Sequence, residues 1–191
     1  MRKILKNRLA LSTVVTTLII LVVSVLLAGV VTYFAINVTS TRVQEESVTM
    51  QRIHIWMDGS TGGAAQAAFL MINTGGRDIV INKITVRGQT ADWADKVSTY
   101  NIPDGTTFSA DLAFSTDLVH VYNDAGITTN HLVEAAGAVV FKSGTSMIVY
   151  ITEPDSITLN DIGLTVGVTI FTSQAMYYQE ANVQAYISGS T

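Results

Sequence analysis

Residues 9–41 carry no formal charge at all. Arg2, Lys3, Lys6 and Arg8 stand on one side of this stretch, and Arg42, Glu45 and Glu46 on the other. From Val14 to Ile36 it is rich in Leu, Ile, Val and Ala with a few Thr, Ser and Gly, and it contains no proline. As a helix rising about 1.5 Å per residue, residues 9–36 reach about 42 Å, more than the roughly 30 Å hydrocarbon core of a bilayer. A soluble domain of this size has no room for an apolar helix of that length, so the sequence predicts a helix inserted in a membrane. The basic flank places the N-terminus in the cytoplasm and the residues beyond about 40 outside.

The rest of the composition narrows the function by exclusion. The 191 residues include no cysteine, which removes disulfides, thiolate metal sites and thiol nucleophiles. Charged residues make up 14% of the chain, against the usual quarter. Beyond residue 10, seven scattered basic residues face fifteen acidic ones, a net charge of −8. Nucleic-acid binding needs clustered cations, so no such partner is expected. There is neither a phosphate-cradling glycine loop nor a nucleophile elbow. His54, His120 and His131 are far apart, and the pairs Asp92/Asp95 and Asp155/Asp161 lack EF-hand spacing. The sequence therefore predicts no enzyme, no cofactor and no metal site.

The junction ahead of the apolar run is informative. Lys6-Asn7-Arg8-Leu9-Ala10 leads into Leu11-Ser12-Thr13-Val14-Val15 without a break. A secretory signal has an apolar run of about 7–15 residues closed by a small-residue cleavage site, and neither feature is present. Further on, Met71-Ile72-Asn73-Thr74-Gly75-Gly76 turns into Ile79 to Val86 and closes at Gly88. Asn and Gly favour turns in any protein. In company with the junction and the helix, however, this stretch resembles archaeal type IV pilins and archaellins. The resemblance covers about a third of the chain. It implies a class III signal peptide, cut by a prepilin peptidase on the cytoplasmic side between Ala10 and Leu11, with the bonds after Arg8 and Leu9 as alternatives because Leu9 separates the basic residue from the small one. Val15 stands where bacterial pilins usually carry Glu. The resemblance also implies a helical homopolymer at the cell surface, assembled by a membrane platform and an ATPase.

On a wheel of about 100° per residue, Thr13, Thr17, Ser24, Ala28 and Thr32 share one stripe. Lipid is as apolar as Leu, so close approach of small residues is what packs such helices together. The alternative is that the hydroxyls bond back to their own helix. Leaving the bilayer would expose roughly 25 apolar side chains to water at roughly 1.5–3 kcal/mol each, a cost that a core of bundled copies offsets. Gly29 is a candidate bend or close contact. Asn37-Val38-Thr39 fits the glycosylation acceptor pattern, on the outer side of the membrane.

Beyond the helix the pattern changes to alternation and turns. Strands are expected over 51–56, 69–73, 79–86, 118–122, 138–142, 147–152, 164–171 and 176–186, with 88–117 unassigned in register. The expected class is α+β: a cleaved segment 1–10, a hydrophobic helix 11–50 with a polar upper end, and an all-β, Ig-like sandwich head over 51–191. The leading expectation is a filament subunit, an adhesive pilus or a swimming filament, with the lipid bilayer as its partner before assembly. The alternative is a monomeric signal-anchored extracellular sandwich that binds a ligand or sugar.

Overall fold

A computed structural model describes residues 2–43, 45–59, 64–103, 108, 111–115 and 132–187; for residues 2–10, 42, 43 and 95 it describes the backbone only. The chain divides into two compact units, residues 1–44 and 45–191.

The first unit is one helix, α1 (Arg2–Val43). It is long and apolar enough from Leu11 to Thr41 to cross a membrane. The helix ends earlier than the sequence suggested. The stretch 39–50 reads as a polar helical extension because Arg42, Glu45 and Glu46 follow one another, but Val48 and Met50 are buried around an exposed Thr49. That two-residue period belongs to a strand, and the strand takes over at Val48. The boundary between helix and head therefore lies near residue 44 rather than 50.

The head contains β1 (Val48–Asp58), β2 (Ala65–Asn73), β3 (Ile79–Val86), β4 (Gln89–Thr90), the short helix α2 (Trp93–Lys96), β5 (Val97–Ile102), β6 (Val133–Glu134), β7 (Val139–Phe141), β8 (Ser146–Thr152), a 3-10 turn (Leu159–Asp161), β9 (Thr165–Thr172) and β10 (Met176–Tyr186). The strands form one curled sheet in the order β4-β3-β9-β10-β1-β2-β8-β5-β6, with β7 also pairing β3. Every pairing is antiparallel except β1 with β10, which runs parallel over Ile55 to Asp58 opposite Val183 to Tyr186. Between β3 and β4 the chain reverses in two residues, Arg87 and Gly88, at φ 50° and 83°. Positive φ at both central positions is what a tight hairpin with the correct twist requires.

The curl brings the two halves of the sheet around a common core. Ile55, Phe69, Met71, Val149 and Ile151 from the β1–β2–β8 half pack with Ile81, Ile84, Phe141, Val168 and Ile170 from the β7–β3–β9 half. The β2–β8 region is buried on its other face too. There Trp56, Ala68, Leu70, Ile148 and Tyr150 pack with Leu112, Phe108 and Phe114. Residues 111–115 are fastened down by polar contacts. Gln66 donates through Nε2 to Ser115 O and accepts through Oε1 from Ser115 N, each at 2.9 Å, and Tyr150 Oη donates to Ala113 O at 2.9 Å.

Most expected strands are present with ends displaced by one to four residues. β3 and β10 match their expected limits. β5 falls inside the stretch left without a register. The expected strand 118–122 lies outside the described residues.

Candidate functional site

In α1 every large apolar side chain from Leu11 to Val38 is at least 47% exposed. The stripe residues Thr13, Thr17, Ser24, Ala28 and Thr32 are exposed as well. The hydroxyls of Thr17, Ser24 and Thr32 turn inward on the helix itself. Thr17 Oγ1 donates to Val14 O at 2.9 Å, Ser24 Oγ to Ile20 O, and Thr32 Oγ1 to Ala28 O at 2.7 Å. Thr16 and Thr41 do the same toward Ser12 O and Asn37 O. A hydroxyl bonded back to its own helix is suited to an apolar surrounding, where unmet donors are costly. The stripe keeps its small profile, since packing by close approach needs bulk removed rather than a free hydroxyl. Gly29 lies within this continuous helix, and a Cβ built on it meets nothing within 4 Å.

The other sequence-derived positions are also in α1. The Ala10–Leu11 bond is inside the helix, with Leu11 66% exposed. Asn37 is helical, and its carbonyl accepts from Thr41 Oγ1 at 2.8 Å. The tripeptide Asn37-Val38-Thr39 thus sits in a helix and not in the surface loop that the acceptor pattern usually marks.

A second feature is the corner where the chain enters the head. Asn73, at 0% exposure, donates through Nδ2 to Arg77 O at 3.0 Å and Phe141 O at 3.2 Å, and its Oδ1 accepts from Gly75 N at 3.0 Å. Thr74 N and Gly75 N both donate to Ser47 O, at 2.9 and 3.0 Å, and Gly76 N donates to Glu45 O at 3.3 Å. The Ser47 and Thr74 hydroxyls share a bond of 2.9 Å, and Ser143 Oγ donates to Gly75 O at 2.6 Å. The Asn-Thr-Gly-Gly turn therefore grips residues 45–47 on one side and the β7–β8 turn on the other. A Cβ on Gly75 would lie 2.6 Å from Ser47 N and 2.7 Å from Glu45 O, so only glycine fits. Beside this corner, burial and then the negative charge of Glu46 push the Tyr177 phenol above its ordinary range, while a bond to the Val48 backbone pulls the other way.

The acids Asp92, Asp155 and Asp161 have protein partners. Asp161 accepts from Thr158 Oγ1 at 2.7 Å, Thr158 N at 2.8 Å and Arg87 Nη1 at 2.6 Å. The Thr158 bonds, with help from Arg87, hold its carboxyl below the usual carboxylate range. Asp155 pairs with Lys96, raising the ammonium above its ordinary value. Asp92 caps α2 by accepting from Ala94 N at 3.2 Å. His54 Nε2 meets Asp111 Oδ1 at 2.9 Å and stacks on Trp56 with centroids 5.2 Å apart, and the histidine holds the Asp111 carboxyl down. Among the described residues no three His, Asp or Glu side chains converge as a metal site would require. His120 and His131 lie outside the described residues, and Asp95 is described in its backbone only.

No protein-family model matches the sequence, and no curated protein does. Among solved structures, the apo PCuAC domain of PmoF2 is 12% identical, with a TM-score of 0.44 over 74% of this chain and 95% of that one. Its copper-bound form gives a TM-score of 0.35 at the same identity, over 74% of this chain and 99% of that one. A β-glucosidase from Listeria innocua, also 12% identical, gives 0.27 over 75% of this chain and 16% of its own. At these values the likenesses carry no argument about function.

Proposed function

We propose that the chain is a structural subunit of an archaeal type IV pilus-like surface filament, an adhesive pilus or an archaellum filament. In this reading a prepilin peptidase removes residues 1–10. The helix leaves the cytoplasmic membrane with the help of an assembly platform and an ATPase, and it then packs against copies of itself through the Thr13, Thr17, Ser24, Ala28 and Thr32 stripe. The head is an Ig-like sandwich that coats the outside of the fibre, and Asn37 is the candidate site for a glycan.

One observation carries the reading. Both hydrophobic cores of the head draw on residues from Val48 onward, while α1 leaves its apolar side chains uncovered on every side. A helix like this needs an apolar environment from outside its own chain, and a membrane and a bundle of like helices are the two that supply it.

The test is mass spectrometry of the N-terminus of protein sheared from the cell surface. The reading predicts a chain beginning at Leu11, or at Leu9 or Ala10 if a neighbouring bond is cut, in a sedimenting assembly. Met1 retained on a monodisperse surface protein would favour the signal-anchored binding protein instead.

A further inference from the structure

The apolar segment is longer than a bilayer is thick, so the membrane must select which part of it to hold. Leu11 to Thr41 reaches about 46 Å as a helix, against a hydrocarbon core of roughly 30 Å. Polarity along the rod is uneven. Leu18 to Val31 has one hydroxyl, Ser24, whose proton is used on Ile20 O. Below it lie Ser12, Thr13, Thr16 and Thr17, and above it Thr32, Asn37, Thr39, Ser40 and Thr41. Tyr33 and Phe34 are the only aromatic residues from 11 to 41. They are 65% and 63% exposed, with ring centroids 6.0 Å apart at 75°, and successive positions on a helix spread them over a wide arc.

Aromatic side chains concentrate where hydrocarbon meets headgroups, and basic side chains concentrate on the cytoplasmic face. From Arg8 to Phe34 the helix rises about 39 Å, close to the about 40–45 Å of a bilayer with its headgroups. Twenty residues, Ser12 to Val31, then fill the hydrocarbon, with the four N-terminal cations in one headgroup layer and the two rings in the other.

We infer that Tyr33 and Phe34 form an interfacial anchor for lipid that sets the depth of the unprocessed chain, holding Ser12–Val31 in hydrocarbon and Ala35–Val43 above it as a helical stalk. The inference rests on the membrane stage of the reading proposed above. It deepens that reading by naming the residues that meet the outer lipid surface and the point where the rod emerges.

The absence of cysteine from the sequence makes the test clean. Full-length chains carrying Val25→Cys, Ile36→Cys or Val38→Cys would be expressed without a prepilin peptidase and labelled from outside with a membrane-impermeant maleimide. Val38→Cys is expected to label at least about tenfold faster than Val25→Cys, which reacts only in detergent. Adding Tyr33→Ala with Phe34→Ala lets the overlong helix sink, and labelling of Ile36→Cys is expected to fall about threefold. Tyr33→Trp with Phe34→Trp, which keeps the anchor, restores it. Protection of Val38→Cys equal to that of Val25→Cys would overturn the register, and unchanged labelling of Ile36→Cys after removal of both rings would overturn the anchor. An alkaline carbonate wash separates the two levels. Release of the chain means that the membrane reading itself fails, and retention with a different boundary means that only the anchor does.

Discussion

The head and the helix contain the same aliphatic residues and treat them in opposite ways. Phe69, Ile55, Val149 and Ile170 in the head are at 0% exposure, while Leu18, Ile20, Leu26 and Val31 in α1 are 56–64% exposed. The head meets the demands of burial within its own chain. The helix turns the hydroxyls of Thr16, Thr17, Ser24, Thr32 and Thr41 back on its own carbonyls and leaves its apolar side chains exposed. The fold of the head therefore rests on contacts within the head, while α1 keeps its apolar surface exposed.

Substitutions should separate along that line. Phe69→Ala removes a fully buried ring and is expected to cost about 3–5 kcal/mol in unfolding of the head, read by chemical denaturation, without altering membrane retention of whatever folds. Val22→Arg places a charge at the centre of the apolar stretch and is expected to cost about 2.5–3.5 kcal/mol of insertion, read as chain released by alkaline carbonate, with the head's thermal midpoint unchanged. If Val22→Arg lowered that midpoint as Phe69→Ala does, the division of labour would be wrong.

At the entry corner the head takes hold of residues 45–47, through Ser47 O and Glu45 O. Gly75→Ala would press a methyl against backbone atoms and is expected to destabilise the head by about 1–3 kcal/mol. Asn73→Ala would leave Gly75 N and the Arg77 and Phe141 carbonyls without their buried partner, and is expected to cost about 1–3 kcal/mol. Both are measured on the full chain in detergent, by denaturation.

The smallest expected effect is one of pH. The folded carboxyl of Asp161 titrates below its unfolded value of 3.8. Its contribution is therefore fully present above that value and is lost as pH falls through the depressed folded one. Asp161→Asn should lower the thermal midpoint at neutral pH and flatten its decline on the acid side, leaving carbonate-resistant membrane retention untouched. An acid limb as steep in Asp161→Asn as in the parent would show that the Arg87–Asp161–Thr158 contact does not contribute.

How much of this was legible in the sequence differs between the two regions for physical reasons. The helix announces itself because absence of charge over residues 9–41 is a one-dimensional signal. Its upper end was not legible, since Arg42, Glu45 and Glu46 suit a solvated helix as well as a linker. In the head, β3 and β10 were readable from alternation and turns. The first half of β2, Ala65 to Ala68, was not, because alanine has little strand preference and both faces of the strand are buried. The Asn73 turn was visible as a turn. Its grip was not, for its partners Ser47 and Ser143 stand 27 and 68 residues from the groups they bond. Residues 111–115 were likewise unreadable, held by Gln66 and Tyr150 from 49 and 37 residues away. The stripe on α1 was legible as a pattern, but which carbonyl each hydroxyl takes is a matter of rotamer.

Cryo-microscopy of fibres sheared from cells that express the chain with its native export apparatus decides whether α1 forms the axis of a filament. The account predicts a fibre whose axis is a bundle of α1 helices beginning near Leu11, with the β-rich heads outside. Processed chain that never forms fibres, or a fibre whose axis holds heads and no helices, would contradict it.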